Sequence, residues 1–368
     1  MEKAAIRVLN DCFELIGEVD EVQNIVFTRR NCGVGGFTLV INGDLPGASL
    51  FVPGHMVMMG TQRQGYVEAV ETQLYAQGAA CTQLTVTGRT LEHLLTYRIT
   101  VPMQAPMPQN AEALVKALVA FNMGATADPA RRIPNLEVAP LRGIGGEADW
   151  SWGYRNLVDD AVNICAQCEL GLRMCFDAQR KKFVFDVVQG ADRRTVQHHL
   201  PPVILSPLFD SVFEQTHIES TLDMKNVVLA GGAGEGPAQA AVWVGDGAEG
   251  LGRREVFVEN KSIQAVETEK LMSIGKQALY DFAPVQSLDS GVNPFHTLQF
   301  ERDYCLGDLV TIKWGERVQH KQLTEVTESW DEQGYGLTCV LGRRAPDLLD
   351  KMMGYRFNMD NVNYSKRH

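Results

Sequence analysis

Three stretches near the C-terminal end of this chain alternate apolar and polar residues with a period of two. The first sets Leu309, Thr311 and Lys313 against Val310, Ile312 and Trp314. The second covers residues 318–329 and the third residues 335–341. A Gly307-Asp308 turn leads into the first, and the polar turn Asp331-Glu332-Gln333-Gly334 separates the last two. Successive side chains of a strand point to opposite faces, so this pattern buries one face and wets the other. Period-two runs joined by short turns predict an antiparallel meander. The same grammar fills residues 1–88, with strand candidates at 12–19, 24–30, 36–42, 55–59, 65–72 and 81–87 after a short strand-like start. Asn42-Gly43-Asp44 and Leu45-Pro46-Gly47 mark turns there. Six short strands so spaced predict a barrel or a sandwich.

The pattern changes after Gly88. Leu91, Leu94, Leu95 and Ile99 suit a short helix, and Pro102, Pro106 and Pro108 make a linker. Asn110 is placed to cap a helix with Leu114, Leu118 and Phe121 on one face. Residues 124–140 read as loop. A longer helix follows Tyr154, carries Leu157, Ala161, Ile164, Cys165 and Cys168, and stops at Gly171. Residues 172–177 and 183–188 then form a hairpin around a charged turn. From Val203 the β signal returns at 212–218, 226–230, 241–244 and 255–258. A helix over 262–282, with Ile263, Val266, Ile274, Ala278 and Phe282 facing inward, interrupts it before strands resume at Phe295.

Bulk properties exclude several function classes. The formal net charge is −11. A DNA-gripping protein needs a basic face to replace counterions, so stable nucleic-acid binding is not expected. No apolar run reaches the ~20 residues of a membrane helix. The N-terminus lacks the apolar core of a signal peptide, so the eight cysteines are expected as free thiols in a reducing cytoplasm.

Each candidate motif has a plainer reading. Gly231-Gly232-Ala233-Gly234-Glu235-Gly236 follows a strand, as a phosphate-binding loop would. Such a loop needs a helix to open after the glycines, and here Pro237 and another strand follow, so a turn between strands is expected. Cys165, Cys168 and Cys175 with His198-His199 lack the paired spacing of structural zinc, and packing accounts for them. His55, His93, His217, His296 and His320 stand apart. Asp159-Asp160 is expected on the wet side of a helix. Arg29-Arg30 and Arg131-Arg132 are short basic pairs that surface or subunit contacts explain at least as well as ligand binding. No catalytic, cofactor-binding or metal-binding residue is assigned, and no enzyme is predicted.

Three segments together resemble the siphophage tail-tip or baseplate hub family. The first passes from Thr28-Arg29-Arg30 through Gly35-Gly36-Phe37-Thr38-Leu39 to Gly88-Arg89-Thr90-Leu91-Glu92-His93-Leu94-Leu95-Thr96-Tyr97-Arg98. The second is Asn226-Val227-Val228-Leu229-Ala230 with its glycines, followed by Arg253-Arg254-Glu255-Val256-Phe257-Val258. The third begins Tyr304-Cys305-Leu306-Gly307-Asp308-Leu309-Val310 and ends in the meander. The resemblance implies a mainly β fold with α+β insertions: two tube-like antiparallel β-barrels, an α/β module and a small helical insertion. The expected division is residues 1–100 for the first barrel, 101–202 for the α+β module, 203–345 for the second barrel with an insert around 238–290, and 346–368 for a tail.

It further implies a structural hub at the tail tip of the virion, assembled in the host cytoplasm. Such a hub is a homotrimeric ring that touches a distal tail or tail tube protein, a tape measure protein and a fibre or spike, and gates DNA ejection. The alternatives are a cell-wall lytic enzyme, for which the stretch after Arg344 is too short, and a carbohydrate- or receptor-binding tail protein.

Overall fold

The computed structural model describes residues 5–75, 81–101, 107–148, 150, 154–261, 263–294 and 296–342. The first β region holds β1 (Ile6–Leu9), β2 (Leu15–Val19), β3 (Asn24–Arg30), β4 (Gly36–Asn42), β5 (Met56–Met59), β6 (Arg63–Tyr75) and β7 (Cys81–Thr90). The middle holds α1 (Ala111–Asn122), β8 (Leu136–Val138), α2 (Leu157–Gln167), β9 (Leu170–Asp177), β10 (Lys182–Gln189), β11 (Asp192–Arg193) and β12 (Ile204–Leu205). There follow β13 (Val212–Ser220), β14 (Val227–Gly231), β15 (Ala241–Gly245), β16 (Glu255–Glu259), α3 (Thr268–Asp281), β17 (Val285–Val292), β18 (Leu309–Trp314), β19 (Arg317–Asp331) and β20 (Gly334–Gly342). The protein is mainly β.

One 14-stranded sheet organises the chain, in the order β13-β17-β20-β19-β3-β4-β7-β6-β5-β1-β2, with β11, β12 and β18 joined to it through β19. Its ladder is open, ending at β2 and at β13. The two expected barrels are therefore not two separately closed ladders. The reason lies in β19. Its first half pairs with β18. Its second half, residues 325–330, pairs antiparallel with residues 25–30 of β3. One 15-residue strand thus serves both β regions.

Alternation works as the sequence implies. In both β3 and β4 buried and half-exposed residues follow one another strictly. Ile25, Phe27, Phe37, Leu39 and Ile41 line a first core together with Trp330, which comes from β19. A second core gathers Val310, Ile312, Leu323, Val326, Leu337, Cys339 and Leu341 around the fully buried Tyr304. In β18, Thr311 is buried as well as its neighbours, its hydroxyl accepting from the Thr195 amide, in the loop between β11 and β12, at 2.9 Å and meeting His320 at 3.2 Å.

The middle module packs α1 and α2 on the three-stranded sheet β8-β10-β9. Its core also takes in Leu9, Met56 and Met58 of the first region. Asn110 caps α1 by accepting the amide of Ala113 at 3.1 Å. The helix after Tyr154 starts under an Asn156 cap and ends at Cys168, so Gly171 is not its stop and lies inside β9. The stretch at 124–140 is not all loop, because β8 pairs parallel with β10.

A second small sheet, β15-β14-β16, lies across α3. That helix is shorter than its apolar spacing implies. Ile263 is buried in the loop before it, and Val266 is exposed. Strand β17 is invisible to a hydrophobic count because its buried positions include Ser287 and Ser290. The expected restart at Phe295 and the tail 346–368 lie outside the described residues.

Candidate functional site: the seam between the β regions

The β3–β19 seam holds a cluster of buried and half-buried charged groups. Glu328 of β19 is fully buried. Its carboxylate accepts from Arg29 Nη2 at 2.9 Å, from Arg63 Nε and Nη2 at 2.8 and 2.5 Å, and from the Tyr335 hydroxyl at 2.9 Å. Glu301, from the loop before β18, accepts from Arg29 at 2.7 Å and Arg63 at 3.1 Å. Two guanidinium groups and two carboxylates therefore balance. Aromatic rings close the cage: Arg29 sits 5.3 Å from the centre of the Phe300 ring and Arg63 sits 5.6 Å from that of Trp330. Burial pushes the Glu301 carboxyl up, but Arg29 and Arg63 outweigh it and hold the group below the ordinary carboxylate range. On the rim, Arg30 pairs with Glu325 at 2.7 Å. The arrangement fastens two regions and presents no free nucleophile or general base.

Beside it, Asn31 ties three parts of the chain. Its amide donates to Thr324 O at 2.8 Å, and its carbonyl accepts from Leu172 of β9 at 2.7 Å. Gly307 packs against its side chain. A Cβ there would lie 2.6 Å from Asn31 Oδ1, and the φ of +97° favours glycine in any case. Asp308 is the organiser of the motif that stands out in the sequence. Its carboxylate accepts from the amides of Ala191 at 2.7 Å and Cys305 at 2.9 Å, and from Arg193 Nε at 3.1 Å. It thereby brings β11 onto β18. A cavity of about 50 Å³ lined by Arg29, Asn31, Gln64, Glu92 and Cys175 lies at this junction. That is room for a water or two and not for an organic ligand.

The other family-like run is structural too. Leu91, Leu94 and Leu95 are buried in a 3₁₀ turn, while Ile99, expected with them, is half exposed. Glu92 accepts from the Met174 amide at 3.0 Å and so clips the turn to β9. On α1, buried Glu112 accepts from Lys116 at 2.7 Å and from the amides of Arg142 and Ile144 at 3.0 Å each.

The sequence-derived candidates are scattered. Cys165 is in the core, Cys168 donates to Glu147 O, Cys175 is on β9, and His198-His199 lie exposed in the loop before β12. Among the described residues no group of three metal-ligating side chains forms. After the glycines at 231–236 comes a three-residue 3₁₀ turn and then β15. The amides of Gly232 and Ala233 are spent on Ala240 O and Ile263 O. The isolated histidines serve local contacts: His55 meets Leu50 O at 2.8 Å, His93 meets Glu68 at 2.9 Å, and His320 meets Thr311 at 3.2 Å. His217 lies against Trp314, and His296 accepts from the Leu298 amide at 3.0 Å.

Two expectations are corrected. Arg29 is buried in the seam and not at the surface, because β3 is an inner strand of the sheet. Asp160 is buried on α2 against Arg155 at 3.2 Å, while Asp159 alone faces solvent. Burial raises the Asp160 carboxyl against that arginine's pull. Arg131 and Arg132 donate to the carbonyls of Ile99 and Ala127. No pattern rule could have found the seam, since Glu301 and Glu328 stand about 270 to 300 residues from Arg29.

An open, mainly antiparallel sheet with an α+β module and a small inserted sheet is a fold of phage tail proteins. The prophage MuSo2 43 kDa tail protein from Shewanella oneidensis is similar at a TM-score of 0.55 and 15% identity, over 93% of this chain and 98% of that one. The tail protein from Neisseria meningitidis MC58 is similar at 0.56 and 16%, over 92% and 96%. No curated protein matches the sequence. The chain belongs to the Siphovirus ReqiPepy6 Gp37-like protein family, whose model matches residues 5–343.

Proposed function

We propose that this protein is the hub at the distal tip of a siphophage tail, a ring of three copies that joins the tail tube or distal tail ring to the fibre or spike. The observation that carries the reading is the shared sheet. On this reading residues 1–100 and 203–345 are two tube-like lobes joined by the β3–β19 seam, with 101–202 as the α+β module. Three copies then offer six similar lobes to a six-fold tube. The free edges at β2 and β13 are where neighbouring chains add strands. A net charge of −11 suits a passage through which DNA slides, since like charge on the wall repels phosphate over about one Debye length, roughly 8–10 Å.

The test is particle imaging of assembled tails together with native mass spectrometry. A three-copy ring at the tip is expected. Single copies in assembled tails refute it, as does a lumen lined mainly by lysine and arginine.

A further inference from the structure

Three free thiols meet at one corner of the middle module. Cys165 lies on the inner face of α2 and is fully buried, and the half-buried Cys32 and Cys168 pack against the same core. Cys32 reaches this corner from the loop after β3. Its thiol donates to the carbonyl of Val162 at 3.5 Å. Val162 precedes Cys165 by three positions, and a helical side chain at that offset lies beside the carbonyl one turn earlier. Both sulfurs therefore stand at one carbonyl. Contact with Cys32 is also first among the causes that push the Cys165 thiol well above its ordinary range, ahead of burial.

The backbone holds the pair together. Asn31, next to Cys32, accepts from the Leu172 amide at 2.7 Å, and β9 follows α2 after Cys168 and Glu169. A Cβ on Gly171 would lie 2.2 Å from Asn31 Oδ1, so the loop after β3 lies directly on the start of β9. The loop that carries Cys32 and the helix that carries Cys165 are thus fixed to each other by main-chain contacts. Cys168, one turn further on, spends its thiol on Glu147 O at 3.6 Å. Packing asks only for a small apolar side chain at position 165 and not for a second thiol against it. A metal would need a third ligand, and among the described residues no such group forms.

The geometry points to a disulfide between Cys32 and Cys165, formed by exchange with a small-molecule disulfide once the chain leaves a reducing environment. The Cys32 thiolate attacks one sulfur of the small disulfide, giving a mixed disulfide at Cys32 and releasing one small thiol. The Cys165 thiolate then attacks the Cys32 sulfur and expels the second. Two protein thiols are oxidised to one S–S bond. The small disulfide is reduced to two thiols, which take up the two protons. A buried thiol reacts slowly with anything arriving from solvent. Here the second step is intramolecular, between groups already in contact, and proximity offsets the scarcity of thiolate. The bond ties the end of β3, and with it the charged seam, to α2. It rests on the thiol pair and holds whether or not the chain forms a ring.

The reduced full chain is incubated with oxidised glutathione at mildly alkaline pH, then mapped by peptide mass spectrometry without reduction. A linked Cys32–Cys165 peptide is expected, with no glutathione on either residue. The exposed Cys12 and Cys305 take glutathione and show that the oxidant is active. Cys32 and Val162 stand 130 residues apart, so the bond closes a long loop. The oxidised chain should melt about 5 °C higher, and dithiothreitol should reverse the rise. Cys168→Ala should keep both the link and the rise. Cys32→Ala, at a half-buried position, should lose both while its circular dichroism stays that of the parent. A mixed disulfide that persists at Cys32, or a pair that stays reduced while Cys12 and Cys305 react, overturns the inference. So does a link from either residue to Cys168, or an equal rise in Cys32→Ala.

Discussion

Replacing Glu328 with glutamine leaves shape and volume almost unchanged and removes one buried negative charge. In the native seam that carboxylate serves three donors, Arg29, Arg63 and Tyr335. Without it, two guanidinium groups share Glu301 alone, and one positive charge stays uncompensated inside the sheet. Breaking a buried pair on one side costs about 3–5 kcal/mol. The unfolding slope in urea is about 1–3 kcal/mol per molar for small units and grows with size. A loss near 4 kcal/mol therefore moves the first urea midpoint down by roughly 1–2 M. Trp330 lies against Arg63, so its contribution to the tryptophan emission, isolated in a background with the other four tryptophans replaced by phenylalanine, reports the event locally.

The companion variant replaces Arg29, Arg63, Glu301 and Glu328 together with methionine, methionine, leucine and leucine. With no charge left to strand, its midpoint should return to within about 1 kcal/mol of the parent, or exceed it. A single variant indistinguishable from the parent refutes the reasoning. So does a quadruple variant as weak as the single one.

Two further outcomes follow from local geometry. Burial opposes ionisation of Glu112, but Lys116 and the amides of Ile144 and Arg142 outweigh it, and its carboxyl titrates at about 2 against an ordinary 4.5. A depressed carboxyl stabilises the fold above its unfolded value, and that support is lost as pH falls from about 4.5 toward 2. At pH 7 it amounts to at most roughly 3 kcal/mol, so the gap in melting temperature between the parent and Glu112→Gln should be widest at neutral pH and close in acid. Gly307→Ala should lower stability by more than about 1 kcal/mol in a denaturant titration, since it meets both the φ of +97° and the side chain of Asn31. An unchanged midpoint would show that the turn can rearrange.

Local structure was largely legible. Strands β3 and β4 coincide with their alternating runs, and β19 and β20 follow theirs within a few residues, because each has one buried face. The Asn110 cap was readable from residue type alone. What escaped was set by distant partners. β17 is buried between β13 and β20, so small polar residues serve where period-two reasoning looks for large apolar ones. Val266 fits the helical spacing, yet α3 begins two residues later and leaves it in solvent. Arg29 reads as one half of a surface pair until β19 is laid beside β3. The inserted sheet is half legible: its glycines and the strand runs at 241–244 and 255–258 can be read from the sequence, but only register puts Trp243 and Phe257 in one line.

The strand β19 pairs with both β regions at once, and this fixes how the molecule bears load. Its first half is laced to β18, its second half to β3, and Trp330 at its far end sits in the first lobe's core. A pull that separates the lobes along that strand must shear several ladder bonds at the same moment, where a peeling pull would break them one by one. Nor can the chain be cut between the lobes to give two working halves. The N-terminal piece would expose β3 and lack its tryptophan, and the C-terminal piece would keep Glu328 without either arginine.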